Sequence, residues 1–256
     1  MKKTISRHKT ILAGKRRTIE ANKSLGRSLA FVAGAINAGG FLIVNQYTSH
    51  MTGITSIAVD SIALNEWDVA IKMFFYIACF IFGSATSSML VIWAMSNHLH
   101  SSYALPITVE ATLLILFGIV NSLHKYNGHI AALYIIALLC YLMGLQNAVI
   151  TKISSTTIRT THVTGMVTDI GIEIGRILYS LKNNSRKYIT PDKARITLHI
   201  SIFTMFLFGG VYGAYGFKYA GSVTVIPLAG YLLFIAFHPI KLDLQIERYL
   251  SKKGGR

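Results

Sequence analysis

Residues 34–53 read GAINAGGFLIVNQYTSHMTG and residues 144–165 read GLQNAVITKISSTTIRTTHVTG. Both follow one pattern, G-x-x-N-A and then T-[ST]-H-[MV]-T-G. Gly34, Asn37, Ala38 and Thr48 to Gly53 carry it first, and Gly144, Asn147, Ala148 and Thr160 to Gly165 carry it again. The copies are offset by 110 residues at the asparagines (147 − 37) and by 112 at the histidines (162 − 50), so the second holds a two-residue insertion. Nine positions recurring in order mark an internal duplication.

Each copy starts inside an apolar run and ends in a segment rich in Ser and Thr. Six apolar runs stand out: Leu29 to Val44, Val69 to Met95, Ala104 to Asn121, Ile130 to Ile150, Leu198 to Phe217 and Val223 to Phe237. About 20 apolar residues at about 1.5 Å each span a hydrocarbon core of about 30 Å, so these are expected membrane crossings. The composition agrees, with 52% hydrophobic and 14% charged residues. A soluble domain carries about a quarter charged residues. The fold class expected is all-α, a polytopic membrane helix bundle of about six transmembrane helices plus two half or re-entrant helices.

The net charge of +15 raises the question of nucleic acid. The basic residues are instead clustered outside the apolar runs: of 25 Lys and Arg, nine lie between Lys2 and Arg27, five between Lys182 and Arg195, and five between Lys241 and Arg256. That is the pattern of cytoplasmic loops, not of a nucleic-acid face, and the partner implied is the lipid bilayer. The expected organisation is a basic tail (1–28), a first repeat (29–122), a second repeat (123–240) with a basic loop (182–196), and a basic tail (241–256). The first span follows a basic segment too long for an ordinary signal peptide, so it reads as uncleaved. Six crossings put both termini and all three basic clusters in the cytoplasm and leave Glu66, Trp67 and Asp68 outside. Cys79 and Cys140 both lie in apolar runs and imply no disulfide framework.

With six crossings the first span runs outward and the fourth inward, which makes the duplication an inverted repeat. Such repeats in transporters place a solute site near the midplane, where broken helices meet. The Ser/Thr-rich segments Thr48 to Leu64 and Thr160 to Leu181 are the expected broken helices. Thr48, Ser49 and Thr52, and their counterparts Thr160, Thr161 and Thr164, are suited to cap N-termini lying inside the membrane. Gly53 and Gly165 would let a solute approach the backbone. Two facing N-termini favour an anion or a polar solute rich in acceptors. The residues expected to bind it are Asn37, His50, Thr52, Gly53, Asn147, His162, Thr164 and Gly165.

In the second segment Val163, Met166, Val167, Ile170, Ile174, Ile177, Leu178 and Leu181 share one helical face, and Asp169, Glu173 and Arg176 share the other. Glu173 and Arg176 have the spacing of an ion pair. Ionisable groups in membrane segments commonly mark a path, so Asp60, Glu110, Asp169, Glu173 and Arg176 are candidates for ion or proton passage. An amphipathic helix followed by basic residues is equally the pattern of an interfacial helix. Asp60 is expected to be buried, whereas Glu110 is placed either in the core or snorkelling from the span's end. His98 and His100 form an H-x-H pair without a third ligand, so no metal is assigned to them. No catalytic motif or cofactor fingerprint is present, and no enzyme is implied. Gly209, Gly213 and Gly216, with Ala30, Gly34 and Ala38, have the spacing of close-packing helix faces and would also suit a homo-oligomer. An alternative chain with eight crossings would make the two repeats parallel and place Lys152 and Arg159 outside, against the charge rule.

The stretches Gly34 to Gly53 and Met143 to Gly165, with Gly144-Leu145-Gln146-Asn147-Ala148 and both Thr-Gly pairs, resemble the signature regions of the YoaK family of bacterial membrane proteins. The resemblance covers roughly residues 29–239. It implies a bacterial inner-membrane location and no assigned substrate. The sequence departs from the family pattern at Asn37, where an acid is common, and at Ile54, where Asn often follows Thr-Gly. A transporter or channel for a small solute is the expectation, with a scaffold or sensor and then a membrane enzyme as alternatives.

Overall fold

The computed structural model describes residues 19–99, 101–123, 128–153, 160–182 and 192–254. Eight helices make up these residues, with no strand among them: α1 (Ile19–Val44), α2 (Met51–Ala63), α3 (Trp67–Ser96), α4 (Ala104–Leu123), α5 (Gly128–Ile153), α6 (Val163–Lys182), α7 (Lys193–Ala220) and α8 (Val225–Gly254). All six apolar runs are helical. The helices are longer than the runs, because α1 begins in the basic tail and α8 continues to Gly254. His100 lies outside the described residues.

Among the described residues, five helical stretches are long and apolar enough to cross a membrane, and the last of these, Lys193–Gln245, is 53 residues long. That stretch is too long for one crossing. It folds back at Gly221 (φ 59°), a left-handed conformation that favours glycine, where a 3-10 turn (Gly221–Thr224) separates α7 from α8. Phe74, Phe82, Phe208, Tyr219, Phe234 and Phe237 are all exposed. So much outward apolar surface belongs to a protein whose solvent is lipid.

Side-chain contacts fix the relative directions of the helices. Asn22 on α1 donates to the Ile153 carbonyl and Gln146 donates to that of Leu29, while Gly40 faces Leu139, so α1 and α5 are antiparallel. Arg27 bonds Ser201, Phe31 meets Gly209 and Gly39 meets Phe217, so α1 and α7 are parallel. Ser84 donates to Gly144 and Lys152 reaches the Ser88 carbonyl, so α3 and α5 are parallel too. The bonds Asn121 to Ser222 and Ser101 to Asp243 make α4 and α8 antiparallel. A chain with eight crossings would have made α1 and α5 parallel.

Backbone contact at glycine closes the two tightest pairs. A Cβ on Gly34 would overlap the Phe206 carbonyl, and one on Gly144 would overlap the Phe80 carbonyl. A Cβ on Gly209 would overlap the Phe31 carbonyl, and one on Gly83 that of Tyr141. These four contacts form two matched sets, related by the offset of 110 from α1 to α5 and by 126 from α3 to α7 (206 − 80 and 209 − 83). Phe31 packs against Tyr212, and the residues at the corresponding positions, Tyr141 and Thr86, are joined by a 2.8 Å hydrogen bond. The long helix of each half therefore packs on the first helix of the other. The glycine faces that the sequence offers to a second copy are occupied within the chain, by α1 against α7 at Gly34, Gly209 and Gly213, and by Thr224 at Gly216.

Candidate functional site

The helix α1 ends at Asn45, whose φ of 52° turns the chain back on itself, and Tyr47 stacks on Phe41 with centroids 4.4 Å apart. The returning strand of chain is pinned to Asn37, whose Oδ1 accepts from the Ser49 N–H (3.4 Å) and hydroxyl (2.8 Å). Asn37 lies seven residues before the end of α1, about 10 Å back along its axis. Consequently α2 starts part-way down the bundle and not at its edge. The second half repeats this construction. Asn147 Oδ1 accepts from the Thr161 hydroxyl at 2.8 Å and from that of Thr160 at 3.3 Å, and α6 starts beside it.

Both short helices begin at one cavity of about 660 Å³. Asn37, His50 and Thr52 from the first copy, and Asn147, His162, Thr164 and Gly165 from the second, line it together with Phe80, Phe206 and Tyr47. Among the described residues, no Lys, Arg, Asp or Glu lines it. Seven of the eight expected binding residues thus share one cavity. Gly53 is the exception, because the space over its Cα is filled by the His50 ring. Gly165 has nothing within 4 Å of a built Cβ and keeps its backbone open.

The capping expectation needs correction. His50 is the N-cap of α2 and makes no side-chain cap bond, and the Ser49 hydroxyl, one position earlier, donates to Asn37. Asn147 is 8% exposed and its Nδ2 has no partner, so a buried amide donor stands in the cavity wall. Thr48 Oγ1 is likewise buried without a partner.

The five ionisable candidates separate into three places. Asp60 is exposed, on a shallow groove along α2 with Thr52, Ser56 and Val59, contrary to the burial expected of it. Its face of α2 is turned outward because Ile54, Ala58 and Ser61 are the residues buried. Glu110 is fully buried in α4, away from the cavity lining, and neither carboxyl oxygen has a partner. The third group joins α6 to α7. Glu173, 1% exposed, binds Arg176 at 2.6 Å and accepts the Asp192 N–H, while Asp169 receives Arg195 at 3.2 Å and lies 3.7 Å from His199. The apolar face of α6 is correspondingly left outside, with Val167, Ile174 and Leu178 exposed.

Sequence reasoning missed Phe80 and Phe206. They open Phe80-Ile81-Phe82-Gly83 and Phe206-Leu207-Phe208-Gly209, a second repeated pattern, offset by 126 residues. Aligning those two glycines would have found both phenylalanines.

The profile of a family described as "Protein of unknown function (DUF1275)" matches residues 25–238, which includes both motif copies and all eight helices in whole or part. The chain belongs to this family. No curated protein and no solved structure matches it significantly. The DUF1275 match thus sets the repeats inside one family unit and assigns no activity to the cavity.

Proposed function

We propose that this DUF1275 protein moves a small solute across a membrane, with the cavity between the starts of α2 and α6 as its binding site. The observation that carries the reading is convergence: residues separated by about half the chain, and matched in the duplication, line one cavity. Duplicated motifs that served only to pack helices would sit in close-packed contacts, as the glycines do, and would leave no such space. In this reading the halves form an inverted repeat, supported by the antiparallel α1 and α5 and by the paired glycine contacts. In this reading both termini lie in the cytoplasm of a bacterial inner membrane, an orientation the basic clusters favour, so α2 opens toward the outside and α6 toward the inside. The narrower kinship with the YoaK proteins belongs to the same proposal and rests on the two Thr-Gly regions.

Cysteine accessibility tests this. With Cys79 and Cys140 replaced, single cysteines at Thr52 and Ser56 are expected to react with a membrane-impermeant thiol reagent added outside. Those at Thr164 and Thr168 should react from inside. Protection of all four positions, or reaction of both pairs from one side only, would overturn the proposal.

A further inference from the structure

The lining of the cavity is unbalanced in its hydrogen bonding. Asn37 Oδ1 is already an acceptor for the Ser49 N–H, and since an N–H can only donate, the orientation of that amide is set and its Nδ2 is the group left over. Asn147 matches it, with Oδ1 engaged by Thr160 and Thr161 and a buried Nδ2 without a partner. The first turns of α2 and α6 add backbone N–H groups that no helix can satisfy internally; that of Val163 bonds the Thr161 carbonyl, and the N-cap of α2 supplies no side-chain acceptor. Among the described residues, no carboxylate lines the space to serve a cation. The unengaged amide groups of the wall are therefore donors, and the partial positive ends of two helices add to them.

The remaining wall is aromatic. Phe80 and Phe206, at matched positions, and Tyr47 face the same cavity, and its volume lies within the range of about 300–1,000 Å³ common to organic ligand sites. A bare halide would leave those aromatic walls without a partner, while a neutral polyol would bring donors as well as acceptors. We infer that the solute is a small organic carboxylate, its oxygens taken by the Asn147 amide and the helix N-termini and its carbon skeleton covered by Phe80 and Phe206. The inference rests on the transport reading and narrows it to a chemical class.

Purified full-length protein in liposomes, offered isotope-labelled succinate, lactate, glycerol or choline at neutral pH, tests this assignment. Saturable entry of a carboxylate, with glycerol and choline excluded, is expected. Two variants then probe the site. N147D keeps the acceptor for Thr160 and Thr161 but sets a negative charge in the wall. T164E tethers a carboxylate in the first turn of α6, where the helix dipole accommodates it. Each should lower carboxylate entry by about tenfold or more, the scale of losing one charge-assisted hydrogen bond. Entry of glycerol or choline in place of the carboxylates would overturn the solute class while leaving transport standing. Carboxylate entry unchanged in both variants would overturn the site. If none of the four solutes enters and succinate does not raise the thermal unfolding temperature, the carboxylate assignment falls, and thiol accessibility of Thr164→Cys then decides whether transport falls with it.

Discussion

The two short helices start alike and are held differently. At the cavity, the Asn37–Ser49 and Asn147–Thr161 bonds have the same length, 2.8 Å, and the same chemistry. Away from the cavity the likeness stops. Ile54 and Ala58 of α2 pack into an apolar cluster with Met73 and Tyr76 of α3 and with Ile136, Ala137 and Cys140 of α5. In α6 the counterpart of buried Ser61, at the offset of 112, is buried Glu173, which brings Arg176 and the Asp192 N–H with it. On the long helices the counterpart of Met73, at the offset of 126, is His199 beside Asp169. Duplication has thus kept the end of each short helix that faces the cavity and let the contact with its neighbour diverge. Water reaching an ion-pair network competes for its partners, whereas the close packing of an apolar interface has no such competitor. On this argument α6 is the element that separates first from the bundle.

The largest effect is expected where the halves are most alike. In Gly34→Val and Gly144→Val the new side chain meets a backbone carbonyl, which cannot turn aside as a flexible side chain can. Each should cost about 3 kcal/mol or more, at or above the upper end of overpacking losses, and should shift thermal unfolding in detergent by similar amounts. A tolerated substitution at one position and loss of fold at the other would break the symmetry of the two glycine contacts.

Glu173→Gln and Ser61→Ala sharpen the comparison where the halves differ. Glu173 is buried while Arg176 and Asp169 are partly exposed, so solvent moderates the network, and Glu173→Gln should cost about 2 kcal/mol, less than a fully buried pair. Ser61→Ala should stay under about 1 kcal/mol, since it removes one hydroxyl from a contact that is otherwise apolar. Hydrogen exchange read along both helices gives the local counterpart: faster exchange in α6 than in α2, with the gap widened by Glu173→Gln. Equal protection of the two would refute the weaker attachment of α6.

Most of this architecture was legible because membrane crossing and duplication leave strong marks. The six apolar runs needed only length and hydropathy, and the motif pair predicted a shared cavity because a repeated Asn followed by a repeated Thr-Gly puts polar groups where lipid would reject them. What could not be read was tertiary. Nothing in Asp60 distinguishes an outward-facing acid from a buried one until Ile54, Ala58 and Ser61 take the inner face of α2. Glu110 stands between Val109 and Ala111 on either reading, and its burial follows from how α4 is enclosed by the bundle. Capping failed as a guide at α2 for a positional reason: its N-cap is His50, while Ser49 reaches the Asn37 amide and Thr48 Oγ1 is buried without a partner.

The smallest expected effect has the opposite sign. Gly171 and Gly175 of α6 have nothing within 4 Å of a built Cβ, while Gly34 and Gly144 would overlap backbone. Glycine in an open helical position loses more conformational freedom on folding than alanine, so Gly171→Ala and Gly175→Ala should each stabilise the protein by about 0.5–1 kcal/mol. The gain should appear as a small rise in unfolding temperature and slower exchange confined to α6. If solute uptake in liposomes falls as α6 becomes more rigid, the freedom of these two glycines is part of the transport cycle. If uptake is unchanged while stability rises, α6 moves as a rigid body on its ion pairs, and the difference between the two halves lies in attachment and not in flexibility.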